Sequence, residues 1–157
     1  MLSAWVPVLI CVLVIATEST PVFGADHTTG PLRRLFEHLF GPIAEAQWLG
    51  LHIFIRKTGH FTGYGILSLA WFRACWMTWP FRGYPIRSWI APHGLAMLGT
   101  LFIASSDEFH QTFLPNRTGS FRDVMTDCTG GLVAQLAVLL WMRRRRSADG
   151  ARGKRHP

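Results

Sequence analysis

Three side chains of different chemistry stand at helical spacing in one short segment of the sequence. Lys57, His60 and Tyr64 occupy positions i, i+3 and i+7, so on a helix they share one face. An ammonium, an imidazole and a phenol in one stripe can bind an anion or exchange a proton. The segment therefore predicts one wall of a polar site.

A second block of polar residues follows farther along the chain. Asp107, His110 and Gln111 stand at i, i+3 and i+4 and again share a helical face. Glu108 lies beside them, and Arg117 follows in the turn after the predicted helix. The block places carboxylates, an imidazole and a guanidinium together, which suits hydrogen bonding or acid–base chemistry.

A third stripe consists of Asp123, Asp127 and Gly130, at i, i+4 and i+7. An acidic residue inside a membrane span is costly, so Asp127 is expected to face other helices rather than lipid. Lys57, Arg117 and Arg122 are its plausible partners. Gly130 with its neighbour Gly131 lets another helix approach closely.

Four apolar stretches are available to position these stripes. The last three are each 19 residues long, close to the roughly 20 that cross the hydrocarbon core. We therefore predict an all-α membrane helix bundle with four transmembrane helices, formed by residues 1–142. The stretches are Leu2–Thr17, Phe61–Trp79, Ser88–Ser106 and Val124–Met142.

The positive charge of the chain is concentrated in its tail. Residues 143–157 hold seven basic residues against Asp149, a net charge of +6 out of the +7 of the whole chain. A basic block after an apolar stretch predicts a cytoplasmic end. The expected localisation is the cell membrane, multi-pass, with both termini and the tail cytoplasmic and the three stripes at the outer edge. A nucleic-acid partner is not expected, because no folded module accompanies the tail.

The loop between the first two stretches contains a further helix signal. Thr28 or Thr29 can cap it, Pro31 suits its first turn and Gly41 suits its exit. Its apolar stripe predicts a short interfacial helix or one packed on the outer end of the bundle. The stripe consists of Leu32, Leu35, Phe36, Leu39 and Phe40.

The first stretch itself allows two interpretations. It can be a retained helix, which we favour because no basic segment precedes it. It can also be a signal peptide cleaved before Ala25. Either interpretation leaves Ala25 outside and the later topology unchanged.

The polar blocks also carry a family resemblance. In their order and spacing they resemble the VanZ-like membrane proteins, named for a protein associated with low-level teicoplanin resistance. The resemblance extends over roughly residues 5–142, implies a multi-spanning fold, and brings no established reaction. Gly63 stands where the family often has Glu, and Asp127 where it often has Asn. The matching residues are Lys57, His60, Phe61, Tyr64, Glu108, Gln111, Phe113, Pro115, Arg117, Asp123, Val124 and Gly130.

Two functions of different classes remain open from the sequence. In the first, an extracytoplasmic polar site binds an anionic lipid or a lipid-anchored envelope amphiphile and, as the resemblance suggests, affects teicoplanin susceptibility. In the alternative, the protein is an intramembrane enzyme acting on an envelope lipid, with Glu108 or His110 as general base and Arg117 as anion clamp. The expected ligand-binding residues are Lys57, His60, Tyr64, Asp107, Glu108, Gln111, Arg117, Asp123 and Asp127.

The sequence also bears on a carrier function, on cofactors and on the oligomeric state. A proton-coupled carrier using Asp127 is disfavoured because the sequence has no internal repeat. No metal or other cofactor is expected, since Glu108 and His110 are two residues apart and point in roughly opposite directions on a helix. The oligomeric state is left open.

Overall fold

The described part of the protein is entirely helical. The computed structural model describes residues 2–23, 25–78, 87–114 and 119–153, and within these ranges it contains five α-helices, one short 3₁₀ turn at Pro21–Phe23 and no strand. The expected all-α class is confirmed. The helices are α1 (Leu2–Glu18), α2 (Ala25–Phe40), α3 (Glu45–Thr78), α4 (Arg87–Gln111) and α5 (Phe121–Gly153).

Helix α3 is the centre of the bundle. It packs against α1, α4 and α5, and α4 also packs against α5. The core between them is built around Tyr64 and Leu67, which are almost completely buried, with Val8 and Ile15 from α1 and Val124 from α5. The polar stripes of α3, α4 and α5 therefore belong to helices that touch one another.

Glycines set the closest approach of α3 and α5. A Cβ on Gly65 would lie 3.3 Å from the Gly130 carbonyl oxygen, and one on Gly131 would lie 3.4 Å from the Ser68 side chain. The expected close approach at Gly130 and Gly131 is confirmed. Helices that touch along their backbones hold the neighbouring side chains close together. The crossing therefore fixes which side chains of α3 and α5 face each other above and below it.

The helices run past the predicted apolar stretches. Helix α3 begins at Glu45, sixteen residues before Phe61, and α5 continues beyond Met142 to Gly153. The extensions were not predicted because Arg56 and Lys57, like the arginines after Met142, interrupt the hydropathy without interrupting the helix. Among the described residues, Phe121–Arg145 is long and apolar enough to cross a bilayer, and Leu2–Glu18 is a shorter apolar helix.

Helix α2 ends as predicted but begins earlier. It ends at Phe40, and Gly41 follows with a φ of 90°, the left-handed conformation that favours glycine at a helix exit. The prediction that Thr28 or Thr29 caps the helix is wrong, since it begins at Ala25. Pro31 lies inside the helix rather than in its first turn.

The two threonines instead dock α2 on the first part of α3. The Thr29 hydroxyl lies 3.1 Å from His52 Nδ1, and the Thr28 hydroxyl lies 3.4 Å from His52 Nε2. The ring of Phe36 packs against buried Trp48, which stacks on His52. Of the predicted apolar stripe, Leu32 and Phe36 are partly buried, and three members remain exposed, namely Leu35, Leu39 and Phe40.

Candidate functional site

A polar cavity of about 330 Å³ opens between α3, α4 and α5, beside α2. Its lining includes six of the nine predicted binding residues and also two apolar side chains from α3. The polar lining includes Arg56, Lys57, His60, Glu108, Gln111, Asp123, Thr126 and Asp127, and the apolar lining is Leu49 and Ile53.

The mouth of this cavity holds an ion pair between α3 and α5. Lys57 Nζ donates to Asp123 Oδ1, and the two side chains are 51% and 35% exposed. Because solvent screens an exposed pair, the contact contributes little to stability. We call Lys57 and Asp123 the outer pair.

The deeper end holds a second contact between the same helices. His60 Nδ1 lies 3.4 Å from Asp127 Oδ1, with the His60 side chain 29% exposed and that of Asp127 completely buried. The distance fits an ion pair, but the geometry makes no hydrogen bond, and neither Asp127 oxygen accepts one from any described residue. We call His60 and Asp127 the inner pair.

Asp107 and Tyr64 lie next to the inner pair and are bonded to each other. The Tyr64 hydroxyl donates to Asp107 Oδ2 at 3.2 Å, and Gln111 Nε2 donates to the same oxygen at 3.1 Å. The His60 ring lies parallel to that of Tyr64, with the ring centroids 6.3 Å apart. Asp107 is therefore a satisfied carboxylate that positions Tyr64 and Gln111.

Glu108 ties the end of α4 to the start of α5. Its Oε2 accepts a 2.7 Å hydrogen bond from the Ser120 backbone N–H, immediately before α5 begins. Burial raises the pKa of Glu108, the bond from Ser120 opposes that rise, and the charges of Asp123 and Asp107 add to it. A carboxylate at a helix amino terminus is also favoured by the helix dipole.

Four of the predicted residues do not line this cavity. Tyr64 and Asp107 lie beside it, and the other two are placed elsewhere or not described. His110 lies on another face of α4, where its Nδ1 is 3.3 Å from the Ser19 hydroxyl, in a groove between α1 and α4. Arg117 lies outside the described residues. The described part of the site thus brings together Lys57, His60, Tyr64, Asp107, Glu108, Gln111, Asp123 and Asp127.

The sequence interpretation missed the part of the cavity formed by the first half of α3. Leu49, Ile53 and Arg56 stand at i, i+4 and i+7 and continue the face that carries His60. The spacing of these residues predicts a shared face, but only if the helix is taken to begin at Glu45. It gives the cavity an apolar wall beside its polar one.

A separate polar network lies deeper in the bundle and was also missed. Gln135 Nε2 donates to the Ser68 backbone oxygen at 2.9 Å and to the Ser68 hydroxyl at 2.8 Å. The Ser68 backbone carbonyl can only accept a hydrogen bond, so the amide nitrogen of Gln135 must face it and the amide oxygen must face His93. His93 Nδ1–H therefore donates to Gln135 Oε1 at 2.6 Å. The network links α3, α4 and α5 and has no contact in the cavity lining.

Comparison with known proteins gives one match. The family model described as VanZ/LLP1 matches residues 4–142, which includes every residue of the cavity. No curated protein and no solved structure matches the chain.

Proposed function

The chain belongs to the VanZ/LLP1 family, which is membrane-associated, and we propose that it is a multi-pass membrane protein whose cavity binds the head group of a cell-envelope amphiphile. The observation that carries the proposal is the composition of the cavity wall. Charged side chains line one part of it, and Leu49 and Ile53 line another. A ligand that is polar at one end and apolar beside it satisfies both surfaces.

The proposed membrane arrangement has one span in each of α1, α3, α4 and α5, over the four apolar stretches, with residues 45–60 and 107–111 outside the hydrocarbon core. Large apolar side chains point outward from all four helices, whereas small residues such as Ala74, Ala96 and Ala104 are buried between them. Small residues at helix contacts and apolar residues outside are typical of membrane bundles. Representative outward residues are Leu9, Leu13, Ile66, Leu98, Phe102, Leu132 and Leu136.

The directions of the helices support both termini on one side. The Arg73 guanidinium near the end of α3 donates to the Ala4 carbonyl oxygen at 3.1 Å, so α1 begins where α3 ends. Helix α5 runs alongside α3 in the same direction, since Asp123 meets Lys57 and Gln135 meets Ser68. With the basic residues 143–157 as a cytoplasmic tail, the cavity faces outward.

The charges at the cavity mouth favour an anionic group on the ligand. Arg56 and Lys57 are adjacent there, and a phosphate can displace Asp123 from Lys57 because the outer pair is solvent-exposed. Arg117 belongs to the proposal as a further anion-binding residue on sequence grounds. An effect on teicoplanin susceptibility would follow if the bound amphiphile is one with which the antibiotic interacts.

The alternative of acid–base catalysis is less well supported by the geometry. Of the two candidate bases, only Glu108 lines the cavity, since His110 faces α1. Glu108 is also engaged by the Ser120 N–H. A direct comparison is available: Glu108→Gln should leave extracted envelope lipids chemically unchanged if the protein only binds them, whereas a general base would lose about a hundredfold in rate.

The binding proposal is tested by native mass spectrometry of the full chain purified in detergent, with phosphatidylglycerol as the anionic lipid. Lys57→Gln removes a charged donor and leaves Asp123 as an unpaired negative charge, so retention of this lipid should fall about tenfold. Arg122→Gln is the matched control, because Arg122 is an exposed cation near the cavity that does not line it. Retention that is equal in wild type and Lys57→Gln would refute the proposal.

A further inference from the structure

Asp127 is a completely buried carboxylate at the inner end of the cavity. Neither of its oxygens accepts a hydrogen bond from a described residue, and it faces His60, whose Nδ1 lies 3.4 Å from Asp127 Oδ1. A buried carboxylate without a partner is strongly destabilising, whereas a cationic partner offsets much of that cost. The inner pair is therefore most stable when His60 carries a positive charge.

The His60 ring has one closed edge and one open edge. Its Nδ1 is buried against Asp127, whereas the side chain as a whole is 29% exposed and lines the cavity. The exposed part of the ring is therefore the side that carries Nε2. Because a carboxylate can only accept a hydrogen bond, Asp127 keeps a proton on Nδ1, and the second proton of the charged ring sits on Nε2. The nitrogen that titrates is thus the one that is open to the cavity.

The surroundings of His60 favour its charged form. The contact with the Asp127 carboxylate raises the pKa of His60 above its ordinary value of 6.5, and burial opposes that rise. The charge of Asp107 adds to the rise, and that of Arg56 reduces it. The titratable groups that line the same cavities as His60 are Glu18 from α1, His52, Arg56, Lys57 and Tyr64 from α3, Asp107 and Glu108 from α4, and Asp123 and Asp127 from α5.

We propose that His60 donates from Nε2 to the lipid phosphate that Lys57 holds, so that the cavity binds an anionic phospholipid together with a proton. This inference rests on the proposed function, to which it adds the proton and the residue that carries it. Asp127 is a positioning residue here, because it touches no ligand and acts by fixing the orientation and the charge of His60.

The positions of Lys57 and His60 allow one phosphate to reach both. They stand three residues apart on α3, so their Cβ atoms are about 5–6 Å apart on one helical face. Both side chains line the same cavity, and Arg56 lines it as well. When a phosphate displaces Asp123 from Lys57, one of its oxygens accepts from the Lys57 ammonium and another from the Nε2–H of His60. The phosphate thus replaces one negative charge at the outer pair and gains a second charged donor.

The test is equilibrium binding of phosphatidylglycerol to the full chain in detergent, at constant ionic strength, from about pH 6.5 to about pH 9. The phosphodiester of this lipid keeps its single negative charge throughout, and the range lies above the lowered pKa of His52. Bound lipid is extracted and quantified by mass spectrometry. Wild-type affinity should fall about tenfold as the pH rises through the pKa of His60, because the charged hydrogen bond from Nε2 is lost.

Three variants assign the pH dependence to the inner pair. His60→Gln keeps an N–H donor but cannot titrate, so its affinity should not depend on pH. The matched control His38→Gln removes an exposed imidazole on α2 that does not line the cavity, and it should keep the wild-type profile. Asp127→Asn should move the fall in affinity to a lower pH by at least about one unit, because His60 loses the neighbouring negative charge. A purely structural role of Asp127 would not move this midpoint.

The outcomes separate this inference from the proposed function. A wild-type affinity that is constant with pH, or an equal fall in folded His60→Gln, would overturn the inference, and neither result requires Asp127→Asn to fold. Glycerophosphoglycerol, the same head group without acyl chains, should compete only in large excess, and competition at equal concentration would overturn the lipid as the source of the phosphate. If phosphatidylglycerol binds at no pH, the proposed function itself fails, whereas binding that ignores pH overturns only this inference.

Discussion

The backbone of Gly130 on α5 lies against Phe61 on α3 so closely that a Cβ on Gly130 would stand 2.1 Å from the Phe61 carbonyl oxygen. No side chain fits there without moving one helix away from the other. Phe61 follows His60 directly on α3, and Gly130 lies three residues after Asp127 on α5. The separation of His60 from Asp127 is therefore set by the absence of a side chain at residue 130.

Replacing Gly130 with alanine should destabilise the protein. The added methyl forces α3 and α5 apart at a cost of about 2 kcal/mol, more than alanine gains from its higher helix propensity. The measurement is the midpoint of thermal unfolding in detergent. Gly94→Ala, at an exposed position of α4 where the new Cβ meets nothing within 4 Å, is the control and should be neutral or stabilising. Equal midpoints for the two variants would contradict the tight crossing.

The Gln135 network should contribute to stability without contributing to ligand binding. Gln135→Leu removes the partner of the Ser68 hydroxyl and of His93 Nδ1, and leaving buried groups unsatisfied costs about 1–3 kcal/mol. Thermal unfolding should show this loss, while lipid retention by the folded protein stays at the wild-type level. Gln47→Leu, at an exposed position of α3, serves as the comparison. A loss of lipid retention in folded Gln135→Leu would show that the network is part of the site.

The docking of α2 should weaken in mild acid. Burial, and secondarily the charge of Arg56, lower the pKa of His52 below its ordinary value of 6.5, so the folded protein favours the neutral ring. Stability from this group is present above that ordinary value and is lost as the pH falls through the lowered pKa. Hydrogen exchange of α2, corrected for intrinsic rates, should be faster at about pH 5.5 than at about pH 7.5.

The control for this pH effect is the histidine itself. His52→Gln keeps a hydrogen-bonding side chain opposite Thr28 and Thr29 but cannot titrate. Its corrected exchange in α2 should not depend on pH across this range. A pH dependence as large in His52→Gln as in wild type would assign the effect to another group.

The proposed topology predicts the outcome of reporter fusions. A reporter at the end of the chain should report the cytoplasm, and one inserted between residues 107 and 122 should report the outside. Replacing Arg143–Arg146 with neutral residues should weaken this orientation preference, because basic residues retain a helix end in the cytoplasm. The reverse pattern would place the cavity on the cytoplasmic side and remove the argument for an envelope ligand.

The sequence by itself determined that four apolar segments are helical, though not where the helices end, and which stripes they carry. An apolar run of about 20 residues predicts a helix that can cross a membrane. The helical repeat of 3.6 residues then means that Lys57, His60 and Tyr64 share a face and that Asp123 shares one with Asp127. Glycines in a helix predict a close contact, which Gly130 makes. These are local properties, since each depends only on positions a few residues apart in one chain segment.

Which stripe meets which was decided only by the tertiary structure. Periodicity does not specify what a helical face packs against. The sequence could place Glu108 and His110 on different faces of one helix, but it could not show that Glu108 bonds to Ser120 and that His110 lies beside Ser19. Nor could it show that Asp107 is satisfied by Tyr64 and Gln111 while Asp127 is not. Those differences arise from the crossing of α3 and α5 at Gly130, because a buried group can bond only to what the neighbouring helices bring within about 3 Å.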